Sequence, residues 1–90
     1  MQLRDALFNW LQISIVSEAR PEDNAARETR DFFELILRED HGLNRFSVTA
    51  DDMAYHILYE TGGQSVNQKF DREAADQLLE DINSNPKYNE

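Results

Sequence analysis

Ala6-Leu7-Phe8-Asn9-Trp10-Leu11-Gln12-Ile13-Ser14-Ile15-Val16-Ser17 runs for twelve residues without a charge, in a chain of 90 residues that is 30% charged. Set at 100° per residue, Leu3, Leu7, Trp10, Leu11 and Ser14 form one helical face. Phe8 and Ile15 flank it on one side and Ala6 and Ile13 on the other, leaving Asp5, Asn9 and Gln12 as a narrow polar strip. Leu11, Ile13 and Ile15 also alternate with Gln12 and Ser14, as in a strand. The good helix formers before them, and the lack of a turn signal, favour one helix over residues 2–19. A helix apolar on nearly every side must be covered on nearly every side, by its own chain or by another copy. Ala6, Ile13 and Val16 lie furthest from the main stripe. With Trp10 beside them they are the candidates for self-association, and a two-fold homodimer is its expected form.

After this run, Arg20-Pro21-Glu22-Asp23 breaks one helix and starts the next. Proline suits a first helical turn, and acidic residues suit the positive end of the helix dipole. The second helix is expected over 22–40, with Ala25, Thr29, Phe32, Phe33 and Ile36 on one face. Its other face carries two charge ladders, Asp23-Arg27-Asp31 and Arg30-Glu34-Arg38, at four-residue spacing. Each such pair contributes only about 0.2–0.5 kcal/mol, which marks a solvated face. Gly42 supplies a left-handed stop, and Leu43 can fold back on the helix.

Residues 43–48 read as a connector with a brief extended piece at Phe46-Ser47-Val48. Thr49-Ala50-Asp51-Asp52 has the look of a helix cap, with Val48 and Met53 spaced as a hydrophobic staple. A third helix is thus expected over 50–61, stopped by Gly62-Gly63. Residues 64–70 read as a turn or short helical piece. Asp71 caps a fourth helix over 71–83, whose face is Ala74, Ala75, Leu78, Leu79 and Ile82. The expectation is an all-α, compact four-helix bundle in one domain, 1–83, followed by a C-terminal tail, 84–90. Its core should hold Leu7, Leu11, Phe32, Phe33, Ile36, Ile57, Leu58, Leu78 and Ile82.

Composition narrows the function. Eighteen acidic residues against nine basic ones give a net charge of −9. That balance disfavours nucleic-acid backbones, which need Lys and Arg to displace counterions, and it disfavours anionic membrane surfaces. With no cysteine, disulfides and thiolate metal sites are excluded. No secretory signal is evident, and the apolar run is shorter than the roughly 18 residues of a membrane span, so a cytoplasmic location is expected.

Candidate chemistry is sparse. On a third helix, Asp52, Tyr55, His56 and Tyr59 would share one face, and Tyr55, His56 and Tyr59 are the candidate contacts for a protein partner. The same Asp52-His56-Tyr59 face is the one route to an enzyme, by acid–base work. It lacks a recognisable nucleophile and enough ligands for a metal, so no catalytic residue, metal site or cofactor is expected. His41 suits a helix C-terminus, where the dipole favours an imidazolium. Gly62-Gly63 has neither the spacing nor the Lys-Ser pair of a phosphate loop. A helix-turn-helix reading fails on charge, because Asp71, Glu73, Asp76, Glu80 and Asp81 would face phosphates against Arg72 alone. The leading expectation is a small acidic protein–protein interaction or regulatory module. The alternatives are an acidic decoy that inhibits a nucleic-acid-binding protein, which needs carboxylates clustered on one surface, and last the enzyme.

Overall fold

The computed structural model describes residues 1–84; of the tail expected over 84–90, Ser84 instead ends a helix and the rest lies outside the described residues. Six elements follow in order: α1 (Leu3–Ala19), α2 (Asn24–Glu39), β1 (Arg45–Ala50), β2 (Ala54–Thr61), β3 (Gln64–Asp71) and α3 (Arg72–Ser84). The fold is α+β, with three helices over a three-stranded antiparallel sheet of order β1-β2-β3. The all-α four-helix bundle is therefore wrong. The stretch expected as a helix over 50–61 ends β1 at Ala50, turns, and forms β2.

Two local features explain the correction. Gly62 and Gly63 sit at φ 56° and 78°, the left-handed pair that a two-residue hairpin needs, and Thr61 pairs with Gln64 across them. They turn a hairpin; they do not stop a helix. At the other end, Asp51 does accept amide bonds as a cap would, from Met53 N and Ala54 N, each at 2.8 Å. The chain then closes through Asp51 N–H to Ala54 O at 2.9 Å and returns as a strand. A side chain that satisfies the next amides starts a turn as readily as a helix.

Strand alternation then sorts the side chains. Phe46, Val48 and Ala50 stand opposite Tyr59, Ile57 and Tyr55, and these stand opposite Val66, Gln68 and Phe70. This face meets the helices. The other face presents Ser47, Thr49, His56, Leu58, Asn67 and Lys69 to solvent. Ile57 is fully buried while its neighbour Leu58 is 52% exposed, the period of two in its plainest form. Leu58 and Phe32, which is 58% exposed, are two expected core residues that the fold leaves outside.

The run around Trp10 finds its cover within the chain. α1 packs between α2 and α3 and contributes Ala6, Leu7, Trp10 and Leu11 to a core shared with Leu37, Leu43, Ile57, Tyr59, Phe70 and Ala75. Val16 joins Ala26 and Ile82 in a smaller cluster, with Ile13, Leu78 and Leu79 at its margin. α2 is capped by Asp23, whose carboxylate accepts from Ala26 N at 3.0 Å. It ends where Gly42, at φ 66°, lets Leu43 N–H reach Leu37 O at 3.0 Å.

Candidate functional site

Alternation along β2 separates the residues that a helix would have grouped. Tyr55 and Tyr59 face the helices and His56 faces solvent. His56 pairs with Asp51 and not Asp52, through Nε2 to Oδ2 at 2.9 Å. Asp52 is exposed in the turn. The Asp52-His56-Tyr59 set is thus split across the sheet. Of the self-association candidates, Ala6, Trp10 and Val16 are buried within the chain and Ile13 is partly buried.

Around Tyr55 the structure assembles a polar clasp that the sequence did not reveal. The Tyr55 hydroxyl donates to Asp76 Oδ1 at 2.5 Å. Arg72 lies with its guanidinium 5.4 Å from the Tyr55 ring, pairs with Asp76 at 3.7 Å, and donates to the Asp51 carbonyl at 2.7 Å. Its own N–H reaches Met53 O at 3.1 Å. The clasp ties the β1–β2 turn to the start of α3. Burial, and then the Asp76 carboxylate, push the Tyr55 phenol above its ordinary value. The bond from His56, with those from the Met53 and Ala54 amides, holds Asp51 down at about 2. Every member already has a partner, so the cluster works as a fastening. Among the described residues no group of three or more His, Asp or Glu is placed to hold a metal ion.

The more open feature lies along β1. The Asp51–Ala54 bond sets the parity of the β1–β2 ladder, so the odd residues of β1 turn their backbone groups to β2. The N–H and C=O groups of Phe46, Val48 and Ala50 therefore face the free edge. No strand of the described residues pairs there. Above that edge, α2 packs chiefly on α1; its Leu37 joins the core with Ile57 and Tyr59, and Arg38 covers the Phe46 ring at 4.9 Å. A cleft of about 410 Å³ opens between them, walled by Trp10, Ser14 and Glu18 of α1, Arg30 and Glu34 of α2, and Phe46, Ser47 and Val48 of β1. A neighbouring cleft of about 360 Å³ shares Ser14, Glu18 and Val48, and adds Leu11, Ile15, Tyr55 and Leu79. Trp10 Nε1, Ser14 Oγ and Arg30 Nε, all from residues of the first cleft, are buried without a hydrogen bond.

The layers differ in width. Three helices side by side, at about 10 Å each, span roughly 30 Å, whereas three strands at about 4.8 Å spacing span roughly 14 Å. α2 overhangs a lane with no strand in it. On the β3 side Phe8 packs on Phe70 at 5.3 Å and Arg4 covers the same ring at 5.3 Å, leaving a smaller cleft of about 290 Å³ among Arg4, Asp5, Phe8, Phe70, Asp71 and Ala74. Sequence reasoning missed the β1 edge because it read 43–48 as a connector. The alternation of Phe46, Val48 and Ala50 ahead of Ile57, Tyr59 and the Gly62-Gly63 pair was the available signal.

No helix of the described residues is long and apolar enough to cross a membrane. Comparison with described protein families, with characterised proteins and with solved structures found no match.

Proposed function

We propose that this protein is a non-catalytic interaction module that takes an extended segment of another protein as a fourth strand along β1. One observation carries the reading: a free strand edge lies beneath an overhanging helix, with a cleft beside it. Backbone pairing on an exposed edge supplies affinity that is independent of the partner's sequence, and the cleft receives alternate side chains. A second copy of this chain fits less well. Two α2 helices would overhang the same two paired edges, and about 10 Å of sheet cannot sit under about 20 Å of helix.

Proline at Val48 gives the test, because it removes an edge donor without removing a β1–β2 bond. Random peptides displayed on phage are selected on the wild type and re-measured on Val48→Pro. Selected peptides are expected to shift the β1 amide resonances, and to bind Val48→Pro at least about fivefold more weakly, the equivalent of one hydrogen bond of about 1 kcal/mol. Peptides that bind both proteins equally would overturn the reading.

A further inference from the structure

Charge along the β1 edge is ordered, and on the reading just given this order selects the direction of the bound segment. α1 runs above the cleft from Trp10, in edge contact with Phe46 at 4.9 Å, past Ser14 to Glu18. α2 returns the other way and brings Arg38 back over Phe46. The Phe46 end of the edge thus carries two guanidiniums. Arg38 donates to the Asn44 carbonyl at 3.4 Å, and exposed Arg45 is matched only loosely by Glu60 at 3.8 Å. The Ala50 end carries Glu18 and, in the turn, Asp52, neither with an ion pair among the described residues. The cations near that end are already engaged: Arg30 by Asp31 at 3.4 Å and Glu34 at 3.7 Å, and Arg72 by Asp76 at 3.7 Å and the Asp51 carbonyl at 2.7 Å, while the Asp51 carboxylate is held by His56 at 2.9 Å.

We propose that the β1 lane binds an extended segment antiparallel to β1, with a cationic residue near the segment's N-terminal end and an anionic residue near its C-terminal end. Antiparallel pairing is the stronger ladder. It sets the start of the segment beside Glu18 and Asp52, and its end beside Arg38 and Arg45. The backbone supplies the attachment and the terminal charges supply the polarity. Complementary charges act in this way, fixing register and rejecting wrong partners more than adding affinity.

Two capped eight-residue peptides test this, each of alternating Thr and Val between charged ends. One has Lys first and Glu last; the other has the two exchanged. Titrations followed by the β1 amide resonances should show the Lys-first peptide binding about tenfold more tightly at low salt. That factor corresponds to two exposed ion pairs exchanged for two like-charge contacts, and it should shrink as salt screens them. Glu18→Arg, at an exposed position, should narrow the preference while leaving the resonances of the β2–β3 hairpin in place. Equal binding of the two peptides, with β1 shifts present, overturns the charge order and leaves the edge reading standing. Failure of both peptides to shift β1 overturns both readings. A wild type that sediments as a dimer, and becomes monomeric on Val48→Pro, assigns the lane to a second copy and overturns both as well.

Discussion

Ile57 and Leu58 are chemically near-equal neighbours with opposite fates, and shortening each to alanine tests the strand directly. Ile57 is fully buried. Ile57→Ala removes three carbons worth about 0.8 kcal/mol each, or about 2.4 kcal/mol. The cavity left beneath α1 raises the loss to about 3–4 kcal/mol. Leu58→Ala removes as many carbons from a side chain that is 52% exposed, on a face open to solvent where no cavity can form. About half the transfer term remains, near 1 kcal/mol. A domain of this size changes melting temperature by about 4–8 °C per kcal/mol. Thermal unfolding followed by circular dichroism should therefore show Leu58→Ala about 4–8 °C below the wild type and Ile57→Ala at least about 12 °C below it. Urea titration should rank them alike. A Leu58→Ala loss equal to or greater than that of Ile57→Ala would refute the register of β2. On a helix the two residues would share the buried face and cost about the same.

Further outcomes follow from the turns and the clasp. Gly62→Asn should hold or slightly raise the melting temperature, since asparagine accepts the left-handed region, whereas Gly63→Val should cost more than about 1 kcal/mol of stability. Tyr55→Phe should cost about 1–2 kcal/mol in urea titration by deleting the bond to Asp76. In the wild type, phenolate absorbance should place one tyrosine above the ordinary 10.0. Asp51 has its folded pKa at about 2, below the ordinary 3.8, so its contribution is complete above pH ~4 and fades as pH falls towards ~2. The gap in melting temperature between wild type and Asp51→Asn should accordingly close as pH falls below ~4. A gap that widens on acidification would contradict the assignment.

The helices were legible in the sequence because helix formers and stop signals outweigh the strand alternation at Leu11, Ile13 and Ile15. Ala74, Ala75, Leu78 and Ile82 fit only a 3.6-residue period, and the Pro21 break and the Gly42 stop bracket α2. The sheet was not, because β2 satisfies two periods at once. Ala54, Ile57 and Leu58 have helical spacing, Tyr55, Ile57 and Tyr59 have strand spacing, and a genuine amide-accepting aspartate precedes both. What decides between them is non-local: Ile57 has Val48 and Gln68 as strand neighbours, and α1 lies over the same face. The candidate site inherited the error. Tyr55, His56 and Tyr59 are near one another in sequence, but the strand sends His56 to the far side. Arg72 and Asp76, which hold Tyr55, come from 17 and 21 residues further on. A burial pattern centred on Leu37 and Ala26 also leaves Phe32 outside, because the apolar stripe of α2 is wider than the side it buries.

The central place of α1 also sets an order of events when the chain is made. α1 leaves the ribosome before the elements that cover it: β2 and α3, which cover two of its sides, come three and five elements later. At about 5–20 residues per second the wait is several seconds, long compared with the microseconds in which a helix or hairpin forms. During that interval α1 can pair with α2 but not complete its burial, and Leu11 and Ile15 stay open to water. Moving α1 behind α3 by circular permutation would shorten the wait and increase the yield of folded protein at fixed final stability.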